Sequence, residues 1–169
     1  MLKSTIPGTV ICRRRDEHGE IVIADNGNMR SLYFGGVMQS AIRTDVPDLL
    51  LEDYHEAMMS ALLFHDAPRS ILLIGLGGSS LVHFLLKAAP DAVLDVVEIR
   101  QLVIELSREF FLLPHEDARL RITHAAGNAY IRLHAKTKRY DMIIVDAFDE
   151  SGPAASLLEK DFFPPAACN

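Results

Sequence analysis

The sequence predicts an α/β chain: a parallel, doubly wound sheet preceded by a small antiparallel β unit. Three observations carry this. Short β-rich runs separated by turn residues fill residues 8–43. Apolar runs, each followed by a helical pattern, recur from Ser70 to Asp146. A glycine-rich turn sits between the first of those apolar runs and its helix.

In the N-terminal part, Thr9–Cys12, Glu20–Ala24, Arg30–Phe34 and Val37–Arg43 read as strands, being rich in β-branched or aromatic residues. Asp16-Glu17-His18-Gly19, Asp25-Asn26-Gly27-Asn28 and Gly35-Gly36 separate them. Asn-Gly supplies the positive φ angles that a tight hairpin needs. Asp45–Asp48 is a connector, and Leu49–His65 carries apolar residues at helical spacing. From Ser70 the pattern changes. Ile71-Leu72-Leu73-Ile74 is apolar throughout, as a strand buried on both faces must be. A helix over Ser80–Ala89, a strand over Val93–Ile99 and a helix over Gln101–Phe111 follow. Then come a strand over Leu120–His124, a helix over Asn128–Lys136 and a strand over Asp141–Asp146. This alternation predicts a parallel sheet. Asp149–Pro153 reads as a loop and Ala154–Phe163 as a helix ended by Pro164-Pro165. No further strand follows, so a sheet truncated at its C-terminal side is expected. The expected division is a β-hairpin domain over 1–46 and a sheet domain over 47–169.

The bulk properties narrow the function. The chain's 169 residues fit one ordinary domain, or one with a small appendage. The formal net charge of −6 argues against nucleic-acid or anionic-membrane binding, both of which need a basic surface. Cys12 and Cys168 lie near opposite ends and form neither a disulfide framework nor a zinc pattern. The histidines show no metal-ligand spacing, so no metal is expected. The N-terminus lacks a signal-peptide run and no stretch approaches a membrane span, which makes a cytoplasmic location the default expectation.

The chemistry concentrates where strands end. Gly75-Leu76-Gly77-Gly78-Ser79-Ser80 joins a strand to a helix, and its glycines let the backbone approach a ligand closely. Glu98 ends the next strand, 23 residues after Gly75. A carboxylate there can accept hydrogen bonds from both ribose hydroxyls of a nucleoside lying across the turn. The spacing does not separate NAD from S-adenosylmethionine. Asn128 follows the third parallel strand, where its amide suits an adenine edge or a helix cap. Asp146 ends the fourth, and Asp149 lies three residues on. Two neighbouring carboxylates suit an ammonium group: they hold the cation, and one takes its proton as nitrogen attacks.

These residues resemble the polyamine aminopropyltransferases, the spermidine synthase family, and especially its spermidine-synthase-like bacterial branch. The matching stretches are Leu32-Tyr33-Phe34-Gly35-Gly36-Val37-Met38-Gln39, Tyr54-His55-Glu56-Ala57-Met58, Ile74–Leu81, Val96-Val97-Glu98-Ile99, Tyr140–Asp149 and Gly152-Pro153-Ala154. The resemblance implies a Rossmann-like, methyltransferase-type sheet behind a small β domain, with homo-oligomers (dimer or tetramer) built partly through that domain. It implies decarboxylated S-adenosylmethionine as aminopropyl donor and a small-molecule polyamine precursor such as putrescine as acceptor. By analogy, Gln39 lines the nucleoside or sulfonium region, and Gly75, Gly77, Gly78 and Ser79 form the cofactor turn. Glu98 holds the ribose and Asn128 meets adenine. Tyr54 and His55 face donor and acceptor, Asp146 is the base and Asp149 binds the acceptor amine. The chain departs from the pattern in three places. Gly78 stands where family members usually carry an Asp, Asn128 replaces an Asp, and Glu150 replaces a Pro. Three other readings stay open: a methyltransferase using intact S-adenosylmethionine, a non-catalytic nucleoside-binding or assembly relative, and an NAD-binding domain.

Overall fold

A computed structural model describes residues 6–65, 67–134, 137–149 and 152–153, with the backbone alone at 148–149 and 152–153. The N-terminal strands β1 (Thr9–Asp16), β2 (Gly19–Asn26), β3 (Met29–Phe34) and β4 (Val37–Arg43) form an antiparallel meander in that order. β1 continues through Arg13–Asp16, past the predicted run. Its charged side chains point largely to solvent while its backbone pairs with Gly19–Val22. Ladder hydrogen bonds need no apolar side chain, so a propensity reading stops short there.

The helix expected over Leu49–His65 is much shorter. Only α1 (Asp53–Met59) is α-helical, and a 3₁₀ turn covers Ser60–Leu63. Leu49, Leu50 and Leu51 stay outside it, although their apolar character matched the helical period. Leu50 instead enters the core from an irregular segment. Asp53 and Glu56 lie in the first turn of α1, where carboxylates favour the helix dipole.

The second sheet comprises β5 (Ser70–Ile74), β6 (Val93–Glu98), β7 (Leu120–His124) and β8 (Met142–Val145). Helices α2 (Ser80–Ala88), α3 (Gln101–Phe110) and α4 (Gly127–His134) connect them. The strands are parallel, in the order β7-β6-β5-β8. The chain therefore runs outward from β5 to β7, then returns to the other side of β5. In sheets of this kind the ligand crevice lies at the carboxyl ends where that order reverses. In β5, Ile71, Leu72, Leu73 and Ile74 are each no more than 2% exposed. Alternation sends Ile71 and Leu73 into the main core with α2, α3 and the N-terminal sheet, while Leu72 and Ile74 face Tyr130 and Ile131 of α4.

Beyond β8, the expected loop over Asp149–Pro153 contains a short ladder instead. β9 (Phe148–Asp149) pairs antiparallel with β10 (Gly152–Pro153). The helix expected over 154–163 lies outside the described residues.

The two sheets share one core. Ile21, Ile23, Leu32, Phe34 and Ile42 join Ile71, Leu73, Val96 and Phe111 in a single cluster. Polar ties reinforce it. Arg100, just after β6, donates to Asp16 at 2.7 and 3.0 Å and to the Gly19 carbonyl at 3.1 Å. Its guanidinium lies 4.3 Å from the centre of the Phe34 ring. Arg30 of β3 donates to the Phe110 carbonyl at the end of α3, 2.7 Å away. Among the described residues, no helix is long and apolar enough to cross a membrane.

Candidate active site

Gly75 is the first residue after β5, and its φ of +98° is open to glycine at low cost. A β-carbon there would lie 2.0 Å from the Asp146 carbonyl oxygen. The turn after β5 and the end of β8 thus touch, backbone against backbone. The Gly75 N–H donates to the Val97 carbonyl at 2.8 Å, which ties the same turn to β6. Gly77 also has positive φ, and the Ser107 hydroxyl donates to its carbonyl at 2.8 Å.

Gly78 is closed from behind. A β-carbon there would meet the buried Phe111 ring at 2.9 Å and the Ser40 hydroxyl at 3.0 Å. No carboxylate fits at this position without displacing Phe111. Ser79 precedes α2 in a left-handed conformation and makes no side-chain cap. Its hydroxyl and that of Ser40 are buried without a hydrogen-bond partner among the described residues.

Glu98 ends β6 and is 7% exposed. Its Oε2 accepts from the Leu76 N–H at 2.9 Å, and its Oε1 from the Arg100 N–H at 2.8 Å. Burial pushes its proton affinity up, and the two backbone donors offset part of that. Each oxygen keeps a second lone pair for a hydroxyl donor. The sequence placed Glu98 beside the glycine turn. The structure adds that the carboxylate holds the turn in shape.

On the other flank, His55 of α1 is 1% exposed and reaches Asp146. Its Nε2 lies 3.0 Å from Asp146 Oδ2, and its Nδ1 lies 3.2 Å from Glu52 Oε2. The second contact is at ion-pair distance but poorly aligned, so Nδ1 and Glu52 Oε2 lack a hydrogen-bond partner among the described residues. Burial by itself would lower the proton affinity of His55. The Asp146 hydrogen bond, then Glu52, outweigh it and raise His55 to about 9. The imidazole is therefore a cation at neutral pH. Asp146 Oδ1 is buried and has no partner among the described residues, which leaves one carboxylate oxygen for a ligand.

Tyr54 packs its ring against His55, tilted by 48° with ring centres 4.1 Å apart. Burial first, then the charges of Asp146 and Glu52, raise its phenol well above the usual range, so it is a neutral hydroxyl at working pH.

Not all the expected residues gather here. Gln39 sits partly exposed on β4, and its amide donates at 3.4 Å to the carbonyl of Val37 on its own strand. Asn128 is the second residue of α4, and its Oδ1 accepts from the adjacent Ala129 N–H at 2.7 Å, a local contact rather than the expected cap of a helix beginning at Ala129. The Asp149 side chain is outside the described part. Glu52 was missed, although its place three residues before His55 is the helical contact spacing that would have found it. Among the described residues, no group of three or more His, Cys, Asp or Glu side chains is placed to hold a metal ion.

At the opposite end of the sheet lies a groove of about 240 Å³ lined by Arg69, Arg121, Lys138, Arg139, Asp95 and Tyr140. Asp95 there accepts from Lys138 and Tyr140, each at 2.7 Å. This is a structural network at the amino ends of the strands, away from the crevice.

Comparison with known proteins places this arrangement. The spermine/spermidine synthase domain matches residues 51–167. The polyamine aminopropyltransferase of Chromobacterium violaceum is 40% identical over 145 residues, covering 85% of this chain and 55% of that protein. The chain thus spans about half the length of the curated relatives it matches. The solved spermidine synthase of Thermotoga maritima superimposes with a TM-score of 0.69 at 25% identity, over 91% of this chain and 51% of that one. Human methyltransferase-like protein 13, solved with SAH, superimposes at 0.58 and 28% identity, over 66% of this chain and 57% of that one. The parallel sheet is therefore of the Rossmann-like methyltransferase type, behind an antiparallel N-terminal sheet. With the domain matched from Leu51 through both strand-end acids, the chain belongs to the spermine/spermidine synthase family.

Proposed function

We propose that the protein transfers an aminopropyl group from decarboxylated S-adenosylmethionine to a small amine such as putrescine. The observation that carries this is Asp146: one carboxylate oxygen is held by buried His55, the other has no hydrogen-bond partner among the described residues, and the residue's backbone carbonyl meets the glycine turn. The amine nitrogen attacks the methylene carbon bonded to the sulfonium. The carbon–sulfur bond breaks, its electron pair goes to sulfur, and methylthioadenosine leaves. The attacking nitrogen's proton goes to Asp146 Oδ1. An alkylamine is mostly protonated at neutral pH, so this base unmasks its lone pair. The sulfonium is already a good leaving group, which leaves alignment and deprotonation as the site's tasks.

In this reading Glu98 takes the ribose hydroxyls, Gly75, Gly77, Gly78 and Ser79 shape the donor's seat, Tyr54 faces the reacting centre and Asp149 holds the acceptor's ammonium. Asn128 meets the adenine and Gln39 lines the sulfonium region after rotating away from its own strand. Ser40 and Ser79 offer neutral hydroxyls at Gly78, where family members usually carry an acid. The protein works in the cytoplasm as a homo-oligomer, a dimer or tetramer, with no nucleic-acid or membrane partner.

The test is a side-by-side calorimetric titration with decarboxylated and intact S-adenosylmethionine, followed by an assay for methylthioadenosine release with putrescine. Preference for the decarboxylated donor and amine-dependent release are expected. Preference for the intact cofactor would move the assignment to methyl transfer. Binding without release would leave a nucleoside-binding relative.

A further inference from the structure

Glu52 occupies the residue before the first turn of α1, where a side chain ordinarily caps the helix. Its carboxylate makes no such bond. Oε1 instead accepts from the Ala41 N–H of β4 at 3.1 Å, and Oε2 turns to His55 Nδ1 at 3.2 Å. The other imidazole nitrogen meets Asp146. A line of contacts therefore runs from the backbone of β4, through Glu52 and His55, to the Asp146 carboxylate just after β8.

A neutral imidazole has one N–H and so can satisfy one of two flanking carboxylates. The second would face a lone pair, and a buried mismatch of that kind is costly. With both nitrogens protonated, Nε2–H bonds Asp146 and the imidazolium charge lies at ion-pair distance from Glu52. Among the described residues, the titratable groups around His55 are Glu52, Asp146 and Tyr54. Tyr54 adds no charge while it is a neutral phenol.

We infer that Glu52 is a positioning residue: from behind, it holds His55 as a doubly protonated imidazolium, so that Nε2–H fixes Asp146 Oδ2 and leaves Oδ1 for the attacking amine. The part concerning the amine rests on the proposed aminopropyl transfer. The part concerning His55 does not.

Glu52→Gln is the informative variant. The amide oxygen can still accept from Ala41, so the tie to β4 survives while the charge is lost. Glu52→Asp keeps the charge and serves as the conservative rescue. The full chain is labelled with ¹⁵N-histidine, the His55 signals are assigned with His55→Gln, and the ring nitrogens are titrated. Wild-type His55 is expected to carry both protons at neutral pH. In Glu52→Gln its midpoint should fall by about one pH unit or more, a tenfold loss of proton affinity. Glu52→Asp should recover most of that loss, and thermal melting checks that each variant is folded. Turnover is read in parallel. In Glu52→Gln, the alkaline fall of kcat should move to the lower pH where His55 now deprotonates, with donor KM little changed.

An unmoved His55 midpoint in folded Glu52→Gln, or a neutral His55 in the wild type at neutral pH, overturns the inference. Absence of turnover in the wild type would instead sink the aminopropyl reading, while the NMR titration still decides the role of Glu52.

Discussion

His55 Nε2 stands 3.0 Å from Asp146 Oδ2, joining a helix residue to a strand-end residue 91 positions later. The pair sets which oxygen of Asp146 is free, and through that the geometry of any proton transfer at the crevice.

Removing the base tests this first. Asp146→Asn keeps the shape and loses the acceptor of the proton. Turnover of putrescine should fall by about 10²- to 10⁴-fold, the usual contribution of a positioned general base. Donor affinity by calorimetry should change little, because Glu98 and the glycine turn are untouched. Equal loss of binding and turnover would argue against a catalytic role.

The His55 cation also makes stability depend on pH. Its folded proton affinity, about 9, exceeds the ordinary 6.5 because Asp146 and Glu52 outweigh burial. The stabilisation is therefore fully present below about pH 6.5 and is lost as pH rises through about 9. Denaturant midpoints across this window should fall with rising pH in the wild type. The decline should be clearly shallower in His55→Gln.

The acid limb has a different origin. Burial would raise Asp16, but the Arg100 hydrogen bonds overcome it and hold its carboxyl below the usual range. The hydrogen bonds from Arg30 do the same for Asp25 against a smaller burial effect. Folded values below the unfolded ones give stability that is present above about pH 4 and lost as pH falls through the folded values. Arg100→Leu should cost about 3 kcal/mol or more, since it leaves the largely buried Asp16 without its partner. The variant's acid transition should also be shallower, which a pH series of urea melts would reveal.

Two glycines should behave differently. Gly75→Ala combines positive φ with a 2.0 Å clash against the fixed Asp146 carbonyl, so a loss of at least about 3 kcal/mol is expected. At Gly78 the clash is with the Phe111 ring, a packed side chain, and Gly78→Ala should cost about 1–3 kcal/mol. Pairing Gly78→Asp with Phe111→Leu should recover part of the stability lost by Gly78→Asp alone. If thermal melts showed Gly78→Asp to be neutral on its own, the closed space behind the turn would be wrong.

The sequence by itself determined the β/α alternation, the glycine turn and the strand-end positions of Glu98 and Asp146. Those features are local: burial on both faces makes a strand apolar throughout, and strand ends lie where such runs stop. Element lengths at the margins were less legible. β1 extends through charged residues by backbone pairing, helped by the Arg13–Glu20 and Asp16–Arg100 ion pairs, and Leu49–Leu51 match a helical period that tertiary packing overrides. Only the tertiary structure decided that Glu52, His55 and Asp146 form one line, that Arg100 clamps Asp16, and that Phe111 fills the space behind Gly78. Each of those contacts but one joins residues on separate elements, and the Glu52–His55 spacing alone does not say what faces its far side. The paired carboxylates that keep His55 a cation against the opposing effect of burial come together only in the packed molecule and have no local signature in the chain.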